Sequence, residues 1–434
     1  AVGYQALTGF TTGNYNVSIG YDSGIALTTG QNNVFLGGYR TGYGNTTGND
    51  NIMIGYGAGI SNVSGDEMIL IGTGAGYSLN HDTDNDGAVF IGYNAGYNYV
   101  SGGGGGVFIG WKAGQAADDA VTNAVYNTYI GYEAGRFLDD GTNNVALGHQ
   151  AMRSADADGQ NAQYNVGVGS QALLVITDGD YNVAIGNLSG KDITTGGQNT
   201  LVGYGSGQNI TDGLNNVAIG TNAGDGTTSV DRTVLVGWGA GRGAMTSAAD
   251  GTIAIGYEAL TAITSPTGNT AIGYHAGHEL ATGHSNTFVG YEAGGDFDGG
   301  ESNLVAIGRN AMGDADHEST SASVAVGVNA LKGSTGYFVS AVAIGHDAMA
   351  NTNTRGVNGA IAIGRNAMDS TFGGTVTDCI AIGRDSMHHA SNQLNATTGD
   401  IGIGYATLQA LTTGDYNIAI GYQAGDAMTT TGGT

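Results

Sequence analysis

The sequence predicts an all-β parallel solenoid, a chain coiled into a β-roll, and three observations carry that expectation. A nine-residue motif, cleanest as Asn417-Ile418-Ala419-Ile420-Gly421-Tyr422-Gln423-Ala424-Gly425, returns 24 times. Its central glycine recurs at short intervals, with eleven of the 23 being 17 residues and none exceeding 21. Residues before that glycine alternate with the period of two that marks a strand, and self-similarity at such a period marks a repeat architecture.

Positions are counted from the anchor glycine, as in Gly3, Gly20, Gly38, Gly55, Gly186, Gly220 and Gly421. Offsets −3 and −1 are mostly β-branched (Val17/Ile19, Val183/Ile185, Ile361/Ile363) and are expected to face the interior of the roll. Asn often opens the strand at −4, as at Asn16, Asn51, Asn144, Asn182, Asn216 and Asn417, where stacked amides suit a hydrogen-bonded ladder. Thr-Thr-Gly segments such as Thr194-Thr195-Gly196 mark the turns. Seventeen residues hold no crossover helix but do hold two short strands and two turns. Twenty-four coils stacked at about 4.8 Å would span roughly 115 Å.

Offset −2 alternates with −3 and −1, yet it too is apolar. Large residues are Met53, Leu70, Phe90, Phe108, Leu235 and Phe288; small ones are Ala184, Ala218, Ala343 and Ala419. A strand that is apolar on both faces is buried on both, so this strip is expected to be an interface with another chain or a larger structure. Offset +3 is Ala, Ser or Thr in every copy, where only a small side chain fits. Offset +4 is Gly, Leu or Met, and it is Met wherever +1 is Arg or His (Arg365 with Met368, for example). A volume exchange between +1 and +4 inside one packed site is the expected cause.

Offset +1 is aromatic in 14 copies, giving a column through Tyr21, Tyr56, Tyr93, Trp111, Tyr132, Tyr257, Tyr274, Tyr291 and Tyr422. Two readings stand: a stacked ladder that stabilises the coils, and a strip that contacts carbohydrate.

Composition bounds the function. Twelve Lys and Arg against 37 Asp and Glu leave a formal charge of −25, which disfavours nucleic acid and anionic membrane surfaces as partners. A single cysteine, Cys379, excludes an intrachain disulfide framework. No run approaches a membrane-spanning length. The repeat fills residues 1–434 as one domain, which opens inside a repeat and therefore reads as a segment of a longer chain.

Small insertions place extra residues between coils. One, His81-Asp82-Thr83-Asp84-Asn85-Asp86-Gly87, aligns Asp82, Asp84 and Asp86 as donors for Ca²⁺, against the alternative of a solvated acidic loop; Tyr93 stands where an EF-hand would close with Glu. No other cofactor is expected. His275/His278 and His388-His389 lack recognisable ligand partners in the sequence. Gly190-Lys191 is followed by Asp192, so it is no phosphate loop. Carboxylates scattered over loops and the +2 column do not suit an enzyme.

Strands such as Asn216-Val217-Ala218-Ile219-Gly220 resemble the head repeats of trimeric autotransporter adhesins, and similar repeats occur in bacteriophage tail fibres. The resemblance implies a left-handed parallel β-roll and three chains associated along apolar strands. The repeat here is longer than the family's usual one. The expected function is a structural and adhesive fibre on a virion or bacterial surface, homotrimeric and able to contact glycans or other surface and matrix molecules. A self-assembling extracellular filament is the alternative. An ice-binding solenoid is a further one, which the interrupted Thr-Thr pairs disfavour.

Overall fold

The computed structural model describes residues 1–79, 86–99, 104–116, 124–154, 160–265, 267–297, 299–314, 319–333, 336–351, 356–369, 374–389 and 396–429. The chain divides into two compact units, Ala1–Asn215 and Asn216–Thr434. Both are built from the same coil, and the fold is a parallel β-solenoid.

In the first unit, Val2 bridges to Ile19, and eleven strands from Val17–Tyr21 to Thr200–Val202 follow one another in parallel. Equivalent offsets pair from strand to strand, with one register shift near Gly37: Val183 lies beside Thr200, Ala184 beside Leu201 and Ile185 beside Val202. The second unit repeats this with twelve strands from Val217–Ile219 to Ile418–Ile420. Among the described residues the only helical element is a single 3₁₀ turn, Ser247–Ala249.

Most coils carry one strand, not two. Among the described residues a second strand forms only at Phe338–Val339, Val357–Asn358, Val376–Thr377 and Thr397–Thr398, which make a separate four-stranded sheet. The cause is the backbone of the remaining residues. In the coil of Gly186, Tyr181, Leu188 and Gly190 all have φ near +60°, and such left-handed residues turn the chain instead of extending it. For a non-glycine residue this conformation costs about 1–2 kcal/mol. Neighbouring coils offset it with hydrogen bonds: Leu188 N donates to Ser170 O at 3.0 Å and Gly190 N to Ser206 O at 2.9 Å.

The anchor glycine has a steric reason. Gly186 has φ +140°, and a Cβ there would run into the carbonyl oxygen of Gly203 in the next coil. One anchor is displaced from its expected position. The pairing of Ile19/Tyr21 with Leu36/Tyr39 contains a register shift, and Gly37 stacks between Gly20 and Gly55, which makes Gly38 the extra residue of a bulge.

The facing of the strands is the reverse of expectation. In nearly every strand the middle residue is buried while its two neighbours are half-buried or exposed, as in Val217–Ile219. Met53, Leu70, Phe90, Phe108, Ala184, Ala218, Leu235, Phe288, Ala343 and Ala419 are therefore core residues of the roll, not an interface. Ile219, expected inside, is 39% exposed. Both faces are apolar, so hydrophobicity alone did not decide between them; size covariation does. Offset −2 ranges from Gly to Phe, as an interior site must when neighbours change volume. Offsets −3 and −1 stay mostly β-branched, as suits an outer pleated ladder.

The volume exchange is real but has different partners. Wherever −2 is Met, Leu, Phe or Tyr, +4 is Gly; wherever +4 is Met or Leu, −2 is Ala or Gly. A Cβ on Gly114 would lie 2.7 Å from the Phe108 ring, and one on Gly294 2.7 Å from Phe288. In five other coils +4 Met takes that space, with Met152, Met312, Met349, Met368 and Met387 all fully buried. Arg365 and the other +1 residues point outward, so no contact underlies their correlation with +4.

The asparagine ladder forms as expected and lies inside. Asn182 Oδ1 accepts from Asn199 N at 3.1 Å and from Asn199 Nδ2 at 3.0 Å, while Asn182 Nδ2 donates to Gly196 O at 2.9 Å. Each side chain satisfies a turn carbonyl in its own coil and a strand amide in the next, so the buried polar column is a stabilising one.

Candidate functional site

With −2, +3, +4 and the asparagines inside, the outer surface of the described coils is made of columns. The aromatic +1 column is exposed and stacked. Tyr4–Tyr21 centroids are 5.0 Å apart, Trp111–Tyr132 4.7 Å, Trp238–Tyr257 5.0 Å and Tyr274–Tyr291 5.0 Å, each pair within 16° of parallel. Tyr93 continues onto Trp111, Tyr257 onto Tyr274, Tyr39 onto Tyr56, and Tyr405 onto Tyr422. The strand spacing imposes this: in-register parallel coils hold equivalent rings about 4.8 Å apart, close to the offset-stacking distance. The result is a set of ribbons of ring edges and hydroxyls, with Tyr56 55% exposed. A second exposed tyrosine pair, Tyr164–Tyr181, stacks at 5.0 Å one residue before the asparagine column.

Beside the aromatic column run the outward apolar residues of the strands. Ile52, Leu147, Ile185, Ile219, Ile272, Ile307 and Ile344 are exposed. This face takes the place of the −2 strip as the unpartnered apolar surface.

Asp82 and Asp84 of the expected calcium loop lie outside the described residues. Asp86 has a structural duty: its Oδ1 accepts Asp66 N at 2.8 Å. The same contact recurs where Asp180 accepts Gln163 N and Asp415 accepts Thr398 N, at 2.7 and 2.9 Å. A carboxylate at this offset satisfies the backbone of the preceding coil, which is a different pattern from an EF-hand ligand set. The longest insertions also fall largely outside the described residues.

The histidines divide. His388 Nδ1 lies 2.6 Å from the Asp369 carbonyl, and burial holds the His389 imidazole below its usual range. His275 Nε2 lies 2.9 Å from Glu258 Oε2. His278, in contrast, borders a surface groove of about 280 Å³ together with His275, Glu292, Asp296, Asn310 and Asp314. A neighbouring groove of about 410 Å³ continues past Asp314 and Lys332 to Asp347 and Asp369. Sequence reading saw no ligand set for His278 because Asp296, which joins His278 and Glu279, lies in the next coil. The available signal was the run of acids at offset +6 in successive coils, Glu279, Asp296 and Asp314.

The hydroxyl of the first threonine in these turn pairs is occupied. Thr11, Thr28 and Thr46 Oγ1 donate to Thr28, Thr46 and Val63 carbonyls at 2.9, 2.9 and 3.1 Å. Among the described residues no helix is long and apolar enough to cross a membrane. No protein-family model matches the chain, and no curated protein matches it.

Proposed function

We propose that the chain is a structural and adhesive segment of a surface fibre, on a virion or a bacterial cell, that presents its stacked aromatic columns to glycans or other surface molecules. The observation that carries this reading is the exposed +1 ribbon. Parallel rings at 4.7–5.2 Å in Trp111–Tyr132–His149 offer apolar ring surface and polar tips in one line, the combination that suits sugar rings with an apolar face and a hydroxylated rim. The high negative charge favours solubility. The resemblance of Asn216-Val217-Ala218-Ile219-Gly220 to adhesin head repeats and phage fibres points the same way.

The reading includes a homotrimer, now through offsets −3 and −1. Strands apolar on both faces call for cover on both, and the outer Val/Ile columns are the surface left uncovered. The role is a non-enzymatic one. The Thr-Thr pairs are interrupted along the chain and the first hydroxyl of the turn pairs bonds to a neighbouring carbonyl, which supports the fibre over an ice-binding face that needs a flat, continuous row of free hydroxyls.

Two measurements test it. Sedimentation should give about three times the 43.5 kDa chain mass at micromolar concentration; a stable monomer would defeat the trimer. On an array of surface glycans, Trp111→Ala/Tyr132→Ala should lose binding by tenfold or more while melting nearly unchanged. Equal binding by the variant and the parent, or no glycan binding by either, would defeat the aromatic-ribbon reading.

A further inference from the structure

We propose that His278, Glu279 and Asp296 form a binding site for a divalent first-row transition-metal ion on the outer face of the second unit. His278 and Glu279 stand at +5 and +6 from Gly273, and Asp296 stands at +6 in the following coil. One ligand atom from each, an imidazole nitrogen and two carboxylate oxygens, lies within 4.8 Å of the others. A single ion between them would bring all three within bonding reach after small rotamer adjustments.

The composition of the column singles out this place. Offset +6 is Gly, Ala, Ser or Asn in most other copies, with Asp192 the one other acid, yet here three successive coils carry Glu279, Asp296 and Asp314. The solenoid stacks these like charges one coil apart, an arrangement that destabilises itself without a cation. Lys332 Nζ sits 3.7 Å from Asp314 Oδ2, but among the described residues no lysine or arginine pairs with Glu279 or Asp296.

A second observation points to a ligand. His278 Nδ1 is buried without a hydrogen-bond partner, while its Nε2 lies 3.5 Å from Glu279 Oε1. Asn310 Oδ1, on the wall of the same groove, is also buried and unpartnered. Buried polar atoms left unmatched are rare unless something binds them. Imidazole with carboxylates suits zinc, manganese or iron, whereas an all-oxygen set would suit calcium or magnesium. The groove leaves room for water to complete the coordination shell.

The test uses the full chain and zinc as the probe, because the other histidines and acids provide a background that the variants share. Calorimetric titration should show one equivalent in the parent that His278→Ala and Asp296→Asn each weaken at least tenfold. Excess Ca²⁺ should not compete for it. Melting supplies an independent readout. Without metal, Asp296→Asn should melt above the parent, because it removes a repelling charge; zinc should raise the parent's melting temperature but not the variant's. Equal zinc binding by the parent and both variants would overturn the proposal, as would no zinc binding by the parent or a zinc-induced shift of equal size in Asp296→Asn.

Discussion

Replacing Met368 by Gly and Ala362 by Leu, singly and together, tests the exchange between offsets +4 and −2. Met368 is fully buried at φ +50°, and Ala362 is fully buried between Ala343 and Ala381 of the adjoining strands. Met368→Gly removes a packed side chain, a loss of about 2–5 kcal/mol for Met to a small residue, of which about 1–2 is regained by putting glycine at a left-handed position. Ala362→Leu adds three carbons beside a Met that already fills the space, at about 1–3 kcal/mol. Together they recreate the Leu/Gly pair seen at Leu201 and Gly207, where a Cβ on the glycine would lie 2.8 Å from the leucine. The double variant should therefore lose about 2–3 kcal/mol less than the sum of the singles. Coils of a repeat protein open locally, so the readout is native-state hydrogen exchange at Gly364 and Gly383, whose amides donate to Ile344 and Ile363 at 2.8 and 2.7 Å. Additive losses would refute the exchange. Arg365→Tyr with Met368→Gly should be additive, because Arg365 points outward.

Three further outcomes follow from the same coil. Asn182→Ala removes the acceptor for Asn199 and the donor to Gly196, and should cost about 1–3 kcal/mol, seen as faster exchange at Asn199; unchanged exchange would contradict the ladder. Asp400 occupies the asparagine column and is buried, and burial raises its carboxyl pKa against the opposing hydrogen bonds from Asn417. A raised folded-state pKa means the native state binds the proton more tightly, so this group favours folding below its unfolded pKa and loses that contribution as pH rises through the folded value. Asp400→Asn should accordingly raise the melting temperature at neutral pH, with the gain shrinking toward about pH 4; a gain independent of pH would contradict the assignment. Ile219→Asp, on the outer face, should leave the melting of an isolated chain nearly unchanged but dissociate the proposed trimer in sedimentation, whereas collapse of the fold would show Ile219 to be inside.

The fold was legible because its rules are local. Anchor glycines such as Gly186, the period of two around Ala184 and the 17-residue interval leave a coil as the simplest solution, and the Asn182 column followed from residue type. Facing was not legible from polarity, because Val183, Ala184 and Ile185 are all apolar; the offset −2 column is marked as interior only by its volume exchange with +4, as in Phe108/Gly114 against Ala362/Met368. A second strand was expected because composition does not reveal that Leu188 and Tyr181 adopt left-handed turns. The cluster at His278 escaped because its partner Asp296 is 18 residues away, adjacent only once the coils stack. For the aromatic column the sequence supplied the members, and the structure supplied their stacking and exposure.

The central claim, that equivalent offsets stack one coil above another, is tested most directly by spin labels at one offset of three successive coils. Asp178, Thr195 and Asp212 are exposed, share an offset and lie in the first unit. Buried Cys379 is replaced by Ala so that cysteines at these three positions are the only labelled ones. With coils about 4.8 Å apart, the triply labelled chain should give a single exchange-narrowed resonance. Three resolved hyperfine lines, matching the sum of the singly labelled chains, would contradict the solenoid.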